Sequence, residues 1–508
     1  MITSEQGTFD IDRYLKEQTA EILERIERFD DKLYLEFGGK LIFDYHASRV
    51  LPGFRPNVKM RLLQQIKDKI DIILCIYAGD IDRKKIRADF GITYDVDVLK
   101  LIDDLRQDWD LEITAVVITR FEDQPSAQLF KNKLERRNLK VYTHRATRGY
   151  PTDVDLIVSE EGYGRNPYIE TTHPLVVVTG PGPGSGKLGT CLSQLYHEYK
   201  RGVRAGYAKF ETFPIWNLPL KHPVNVAYEA ATADLKDVNV IDPFHLEAHG
   251  EATINYNRDV EAFPLLKRIL QKISGAESFY QSPTDMGVNR VGFGIVDEEG
   301  VREAAKQEVI RRVLRYRCEY MMGLADRETV ERVELLMSEL GMQTEDRQVV
   351  RPARDAAKGA ECSGKGHEGV YCGTAIELGD GTIITANNSP LMHAATSAVL
   401  NAIKHLAGIP DRIHLIAPSI VEAVGAMKKD MNDGRNLSLD LEEALVAVAA
   451  SAPLNSAAKL GIEQLKGLRG CEMHITHIPT PGDEAGLRTL GVNLTSDPFF
   501  STDSLYVM

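Results

Sequence analysis

The run Leu175-Val-Val-Val-Thr-Gly-Pro-Gly-Pro-Gly-Ser-Gly-Lys187 decides the fold. Leu175–Thr179 is short, apolar and rich in valine, the composition of a strand buried on both faces. Glycine and proline then stop it. Ser185–Tyr199 follows with a helical stripe at Leu188, Cys191, Leu192, Leu195 and Tyr199, and Ala205–Phe210 reads as the next strand. Strand, glycine-rich turn, helix and strand make the repeating unit of an α/β fold with a mainly parallel sheet and helices on both faces.

Working outward, the same alternation continues. Ile11–Phe29 has an amphipathic helical pattern, and Lys32–Phe37 reads as a strand that runs into Gly38-Gly39-Lys40. Helices around Val58–Asp68 and Val96–Leu105 lead to strands Ile70–Tyr77 and Leu111–Thr119. A helix at Asp123–Arg136 precedes short strands predicted at Leu139–Tyr142 and Val154–Val158. Downstream, Val238–Ile241 reads as a strand ending at Asp242, and Glu299–Leu340 is helical and charged.

Gln343–Gly369 is polar with little periodicity and reads as a linker. Beyond it, strands Val370–Leu378 and Thr382–Thr385 flank Gly379-Asp380-Gly381, and Asp-Gly between two such runs is a strong hairpin signal. A helix at Leu391–Leu406, a strand at Arg412–Ile416 and a helix from Ser419 follow. The expected organisation is an α/β region over 1–298 with the phosphate loop, a helical connector over 299–345, and a second α/β domain over 346–508.

A chain of 508 residues exceeds what one hydrophobic core usually serves. Its net charge of -13 argues against a general nucleic-acid or anionic-membrane binder, since phosphate backbones need a basic surface. The six cysteines form no C-x-x-C pair and read as free thiols of a reducing compartment. No basic segment with an apolar core opens the chain, and no apolar run nears the roughly 20 residues that span a bilayer. A cytoplasmic homo-oligomer acting on a small-molecule or phosphate ligand is the expectation.

The chemistry starts at the loop. Gly180, Gly182, Gly184 and Gly186 let the backbone turn its N–H groups toward an anion, and the helix N-terminus adds partial positive charge. Lys187 would set its ammonium against outer phosphates. The match to G-x-x-x-x-G-K-[ST] is partial: Pro181 stands at the first glycine position and Leu188 at the Mg²⁺-binding hydroxyl. Either the register is shifted, with Thr190 or Ser185 supplying the hydroxyl, or the loop binds phosphate without the usual metal geometry. The plain alternative is a turn with an exposed lysine.

Asp242, at the end of an apolar strand, is the candidate catalytic and Mg²⁺-binding carboxylate, with a turn-starting role as the alternative. Lys209 and Glu211 would face the same crevice, since ligands in such sheets bind at the carboxyl ends of strands. Ser282–Asn289 reads as a substrate loop or a helix-capping turn.

His245-Leu-Glu-Ala-His249 puts both imidazoles on one helix face, but Glu247 lies about 200° around from His245. The metalloprotease pattern instead sets its general base beside the first histidine. The pair therefore reads as polar residues on a loop or helix. His474 and His477 fall on opposite faces of a predicted strand. Cys362 and Cys372 flank His367, but in a linker.

Glu36-Phe-Gly-Gly-Lys40, Asp44-Tyr-His-Ala-Ser-Arg49, Val178–Lys187, Asp242–Glu247, Ser282–Gly287 and Asn388-Ser-Pro-Leu-Met-His393 together resemble a family of full-length bacterial proteins catalogued only as uncharacterised. Some of its members carry labels such as ATP-dependent peptidase or zinc protease, which the histidine spacing here does not support. The phosphate loop alone resembles that of amidoligases of the CTP synthase and dethiobiotin synthetase type, which implies ATP with Mg²⁺ as cofactor. The C-terminal part resembles the cytidine-deaminase fold in its hairpin, its helix opening near His393 and its strand running into Pro418. Deaminases need H-A-E or C-A-E and a later P-C-x-x-C. Here Ala395 replaces the glutamate, and Ser419 and Glu422 replace the thiolates, so no zinc and no deamination are expected.

These features point to an ATP- or nucleotide-dependent enzyme acting on a small metabolite by ligation or phosphoryl transfer. The alternative is a noncatalytic metabolite-binding or regulatory protein that uses the loop as an anion site.

Overall fold

A computed structural model describes residues 7–29, 32–87, 91–431 and 438–502. The chain divides into two compact units, meeting in sequence at Ala305 and Lys306 within a helix over Glu298–Met321. Among the described residues no helix is long and apolar enough to cross a membrane.

The first unit is built on six parallel strands: β1 (Leu33–Phe37), β2 (Ile70–Tyr77), β5 (Ala115–Thr119), β6 (Val141–Thr143), β7 (Leu175–Thr179) and β8 (Gly206–Phe210). A short antiparallel pair, β3 (Ile86–Arg87) and β4 (Ile92–Thr93), lies outside the sheet. The order β6-β5-β2-β7-β1-β8 puts β7 between β2 and β1. Every residue of β7 is buried, as its unbroken apolar run predicts. The helix Lys187–Lys200 lays Cys191, Leu192 and Leu195 against Val176 and Val178, with Tyr34 and Tyr207 in the same cluster.

Three expectations change here. Val154–Val158 is not a strand: Asp153 caps a short helix over Val154–Ile157 by accepting from Leu156 N at 3.0 Å. An N-cap aspartate outweighs the β-branched residues next to it. Leu111–Thr119 narrows to β5, because Leu111 folds back onto the Leu105 carbonyl. β9 (Asn239–Ile241) does not join the large sheet. It pairs antiparallel with β10 (Ile254–Tyr256), a partner that returns after only a short helix.

The second unit holds β11 (Gly373–Glu377), β12 (Ile383–Asn387), β13 (Glu472–Ile475) and β14 (Asn493–Ser496) in the order β12-β11-β13-β14. β11 and β12 form the expected hairpin around Asp380 and Gly381, the latter at φ +82°. β13 runs antiparallel to β11 and parallel to β14. The segment read as a linker contains a helix, Val350–Cys362, whose Val350 and Ala353 are buried. Its apolar face is carried by Val350 and alanines, and Pro352 and Gly359 lie inside the run, so the segment reads as a loop although its period is helical. Arg412–Ile416 forms turns and bends instead of a strand, with Leu415 and Ile416 in the core and Ile413 N donating to the Pro410 carbonyl.

Candidate functional site: a glycine loop and a neighbouring cavity

β7 ends at Thr179 and the backbone turns at once. A Cβ on Gly180 would stand 2.3 Å from the Cys75 carbonyl oxygen, so only glycine passes there. Gly186 caps the following helix in the left-handed region at φ +92°, with Thr119 filling the space a side chain would need. The β5 end fastens the loop from the side. Thr119 Oγ1 donates to the Ser185 carbonyl at 2.7 Å. The Arg120 guanidinium donates to the Gly184 carbonyl at 2.5 Å while stacked 3.4 Å from the Tyr77 ring centroid. Lys187 Nζ folds back to the Gly182 carbonyl at 3.3 Å. The hydroxyls of Thr179 and Ser185 are buried without a hydrogen-bond partner.

Thr190 has another setting. It is buried one turn into the helix and accepts a contact from Cys75 Sγ at 3.4 Å. Leu188, at the pattern's hydroxyl position, packs against the core.

On the helix-covered face, Glu36 of β1 stands in register with Val178 of β7 and Lys209 of β8. Tyr207 donates to Glu36 Oε2 at 2.7 Å. Lys209 Nζ pairs with Glu211 Oε1 at 3.1 Å and with Asp259. Burial disfavours the Lys209 ammonium, but Asp259, Glu211 and Glu36 outweigh it and raise its pKa. Burial also pushes the Glu211 carboxyl up to about 7, helped by Asp259 and Glu36 and opposed by Lys209. Lys209, Glu211 and Asp259 line a cavity of about 450 Å³ that Trp216, His245, His249 and Asp285 also line.

Asp242 lies elsewhere than expected. It follows β9 of the two-stranded sheet, whereas Lys187 opens the helix after β7 of the six-stranded sheet. Its carboxylate is fully buried and occupied. Oδ1 accepts from Phe244 N at 3.0 Å and His245 N at 3.1 Å, capping the helix Pro243–His249. Oδ2 accepts from Thr284 N at 3.2 Å and Thr284 Oγ1 at 2.6 Å. This is the turn-starting alternative, extended to a second segment.

That second segment, Ser282–Asn289, opens with a helix over Pro283–Met286 and a capping box between Ser282 and Asp285. It brings Asp285 beside the histidine pair. Asp285 Oδ1 lies 3.1 Å from His249 Nε2 and 3.4 Å from His245 Nδ1. His245 Nδ1 also shares a hydrogen bond with Ser282 Oγ at 2.9 Å. Sequence spacing could not reveal this trio, because the carboxylate comes 36 residues after the second histidine. Arg120 and Asp259 were equally hidden: neither lies in a motif, and the fold alone delivers them.

Residues 7–341 match the family described as "Domain of unknown function DUF1846, N-terminal", and residues 345–506 match its C-terminal counterpart. The chain belongs to the DUF1846 family. A UPF0371 protein of Clostridium botulinum (strain Langeland) is 58% identical over 499 residues, covering 98% of this chain and 99% of its own length. A UPF0371 protein of Clostridium tetani (strain Massachusetts) is 56% identical over 498 residues, with the same coverage. The loop and the cavity both fall within the N-terminal DUF1846 match.

In the C-terminal DUF1846 part, His393 shares a hydrogen bond with Asp483 Oδ2 at 2.7 Å, and Asp483 Oδ1 accepts from Leu441 N at 2.9 Å. Ala395 is buried in the core. His474 is buried against Thr495 Oγ1 at 3.0 Å, with Asp497 3.5 Å from its Nε2. Cys372 is buried and Cys362 exposed.

Proposed function

We propose that Gly180–Lys187 binds the phosphate of a nucleotide or phosphorylated metabolite, in an enzyme whose small-molecule substrate occupies the cavity lined by Lys209 and Glu211. The observation that carries this is the loop itself. Two left-handed glycines, Gly184 and Gly186, lead into a helix N-terminus at the carboxyl edge of a central parallel strand. Lys187 is folded over the loop, and the buried Ser185 hydroxyl has no partner. Free N–H groups and the helix dipole favour an anion there.

The two groups assigned to Mg²⁺ do not fit that ion. Asp242 spends both oxygens on capping and on Thr284, and Thr190 is buried against Cys75. Ser185 is the hydroxyl left for it. Leu188 and the buried Thr190 also favour the second reading, a noncatalytic phosphate holder. In the C-terminal unit, a hairpin followed by the helix Ala394–Leu406 supports a deaminase-like scaffold, while the missing strand before Pro418 counts against it. Ala395, Ser419 and Glu422 leave it without deaminase chemistry.

Calorimetry with inorganic phosphate, ADP and ATP tests the proposal. Lys187→Ala removes a charge-assisted contact and should weaken binding about 10- to 100-fold. No heat from any of the three, or equal affinity in the variant, rejects phosphate binding. Mg²⁺-dependent release of ADP or phosphate separates the enzyme from the holder.

A further inference from the structure

We infer that His245, His249 and Asp285 form a binding site for one first-row divalent transition-metal ion, open to the 450 Å³ cavity. The inference is independent of the phosphate loop. One donor atom from each residue lies within 4.8 Å of the other two. Donors on a common ion, with bonds of about 2.0–2.2 Å, sit no more than about 4.4 Å apart. The trio therefore needs a side-chain adjustment in which His245 Nδ1 exchanges its hydrogen bond with Ser282 Oγ for the ion.

Two imidazoles and a carboxylate select zinc, cobalt, nickel or iron over magnesium and calcium, which take oxygen ligands. Three protein ligands also leave coordination positions free, the pattern of a reactive site and not of a closed structural one. His245 and His249 are spaced i, i+4 on the helix Pro243–His249, with ring centroids 4.5 Å apart. The free positions would face the cavity that holds Lys209 and Glu211.

The carboxylate side of the trio is held in place by hydrogen bonds around it. Asp285 Oδ2 accepts from Gln281 N at 2.9 Å and Ser282 N at 3.1 Å, which fixes the carboxylate with both oxygens against His249 Nε2, at 3.1 Å from Oδ1 and 3.2 Å from Oδ2. Asp242 fastens both ligand-bearing segments together, capping the histidine helix through Oδ1 and holding Thr284, the neighbour of Asp285, through Oδ2. A carboxylate with two neutral imidazoles carries one negative charge. A bound divalent ion would turn the site positive and draw an anionic or oxygen-donor group of the substrate into the cavity.

The test uses the full chain, stripped with chelator and titrated with Zn²⁺ by calorimetry and with Co²⁺ by visible absorption. One equivalent should bind, and the Co²⁺ complex should show ligand-field bands of low coordination number. His249 is exposed enough to replace without disturbing the core, its side chain being 43% accessible. His249→Ala should weaken binding by at least about 100-fold, the scale for loss of one of three protein ligands. Asp285→Asn should weaken it too. His393→Ala should bind as wild type, and Lys187→Ala should keep the metal while binding phosphate more weakly. Absence of stoichiometric Zn²⁺ and Co²⁺ binding at micromolar concentration overturns the inference. So does unchanged affinity in His249→Ala, or loss of the metal in His393→Ala.

Discussion

Asp242 and Thr284, 42 residues apart, are joined by two hydrogen bonds to one oxygen: Thr284 Oγ1 at 2.6 Å and Thr284 N at 3.2 Å both donate to Asp242 Oδ2. With the other oxygen capping Pro243–His249, this side chain ties two segments of the cavity wall. A carboxylate placed to accept four hydrogen bonds cannot also offer a lone pair to a distant ion without breaking some of them.

Asp242→Asn is therefore expected to act on stability. An amide in place of Oδ2 would face two donors, and a buried hydrogen bond to a charged group would be lost. Together with a weakened cap, the loss should be roughly 2–4 kcal/mol. Urea unfolding measures it, and phosphate affinity at the loop should not change. Wild-type stability with Mg²⁺-dependent ATP affinity abolished would restore Asp242 as a metal ligand.

Lys59 and Asp44 give a second expectation. The Lys59 side chain is 0% exposed and its Nζ lies 2.7 Å from Asp44 Oδ2. Burial alone would raise the Asp44 pKa. The Lys59 ammonium outweighs it, and with the Ala47 N–H it holds the carboxyl at about 2. The folded value is depressed below the ordinary unfolded value of about 3.9. The stability it contributes is thus present above that value and lost as pH falls through the folded one. Lys59→Met strands a buried carboxylate and should cost about 3–5 kcal/mol at neutral pH. In the variant the Ala47 N–H still opposes burial but the ammonium is gone, so the carboxyl takes up its proton at a higher pH than in wild type and the gap should narrow as pH falls toward 2. A gap independent of pH would show that the pair does not set the Asp44 charge.

The parts that were legible in the sequence are those where local pattern and tertiary setting agree. Leu175–Thr179 had to be a buried strand because it has no polar face, and the glycines after it had to turn. The hairpin formed because Gly381 takes φ +82°, a backbone that glycine tolerates and other residues rarely adopt. The misreadings share a cause too. Val238–Ile241 has a strand's composition, but composition does not name the partner, and Ile254–Tyr256 was nearer than the large sheet. Val350–Cys362 has a helical period, but alanines carry it and Pro352 and Gly359 interrupt it, so composition points to a loop. Asp285 could not be joined to His245 and His249 by spacing. The link runs through Asp242 and Thr284, contacts that exist only once the chain has folded.

Glu211 offers the sharpest pH experiment. Burial raises its pKa to about 7, with Asp259 and Glu36 adding and Lys209 opposing. An unperturbed glutamate titrates near about 4.3, so between the two values the folded chain holds a proton that the unfolded chain has released. The sign follows from linkage: the contribution to stability is full below the unfolded value and is lost as pH rises through the folded one. Glu211→Gln removes the titration but keeps the shape, and Asp259 still pairs with Lys209. The difference in unfolding free energy between wild type and variant should therefore change from pH 5 up to about pH 7 and level off above it. The variant gains relative stability as pH rises, because wild type must then hold a charged carboxylate beside Asp259 and Glu36. The difference between the two proteins isolates Glu211 from the groups common to both. Parallel pH curves for the two would mean that Glu211 is already ionised at pH 5 and that the Lys209 ammonium, not burial, governs the cavity wall.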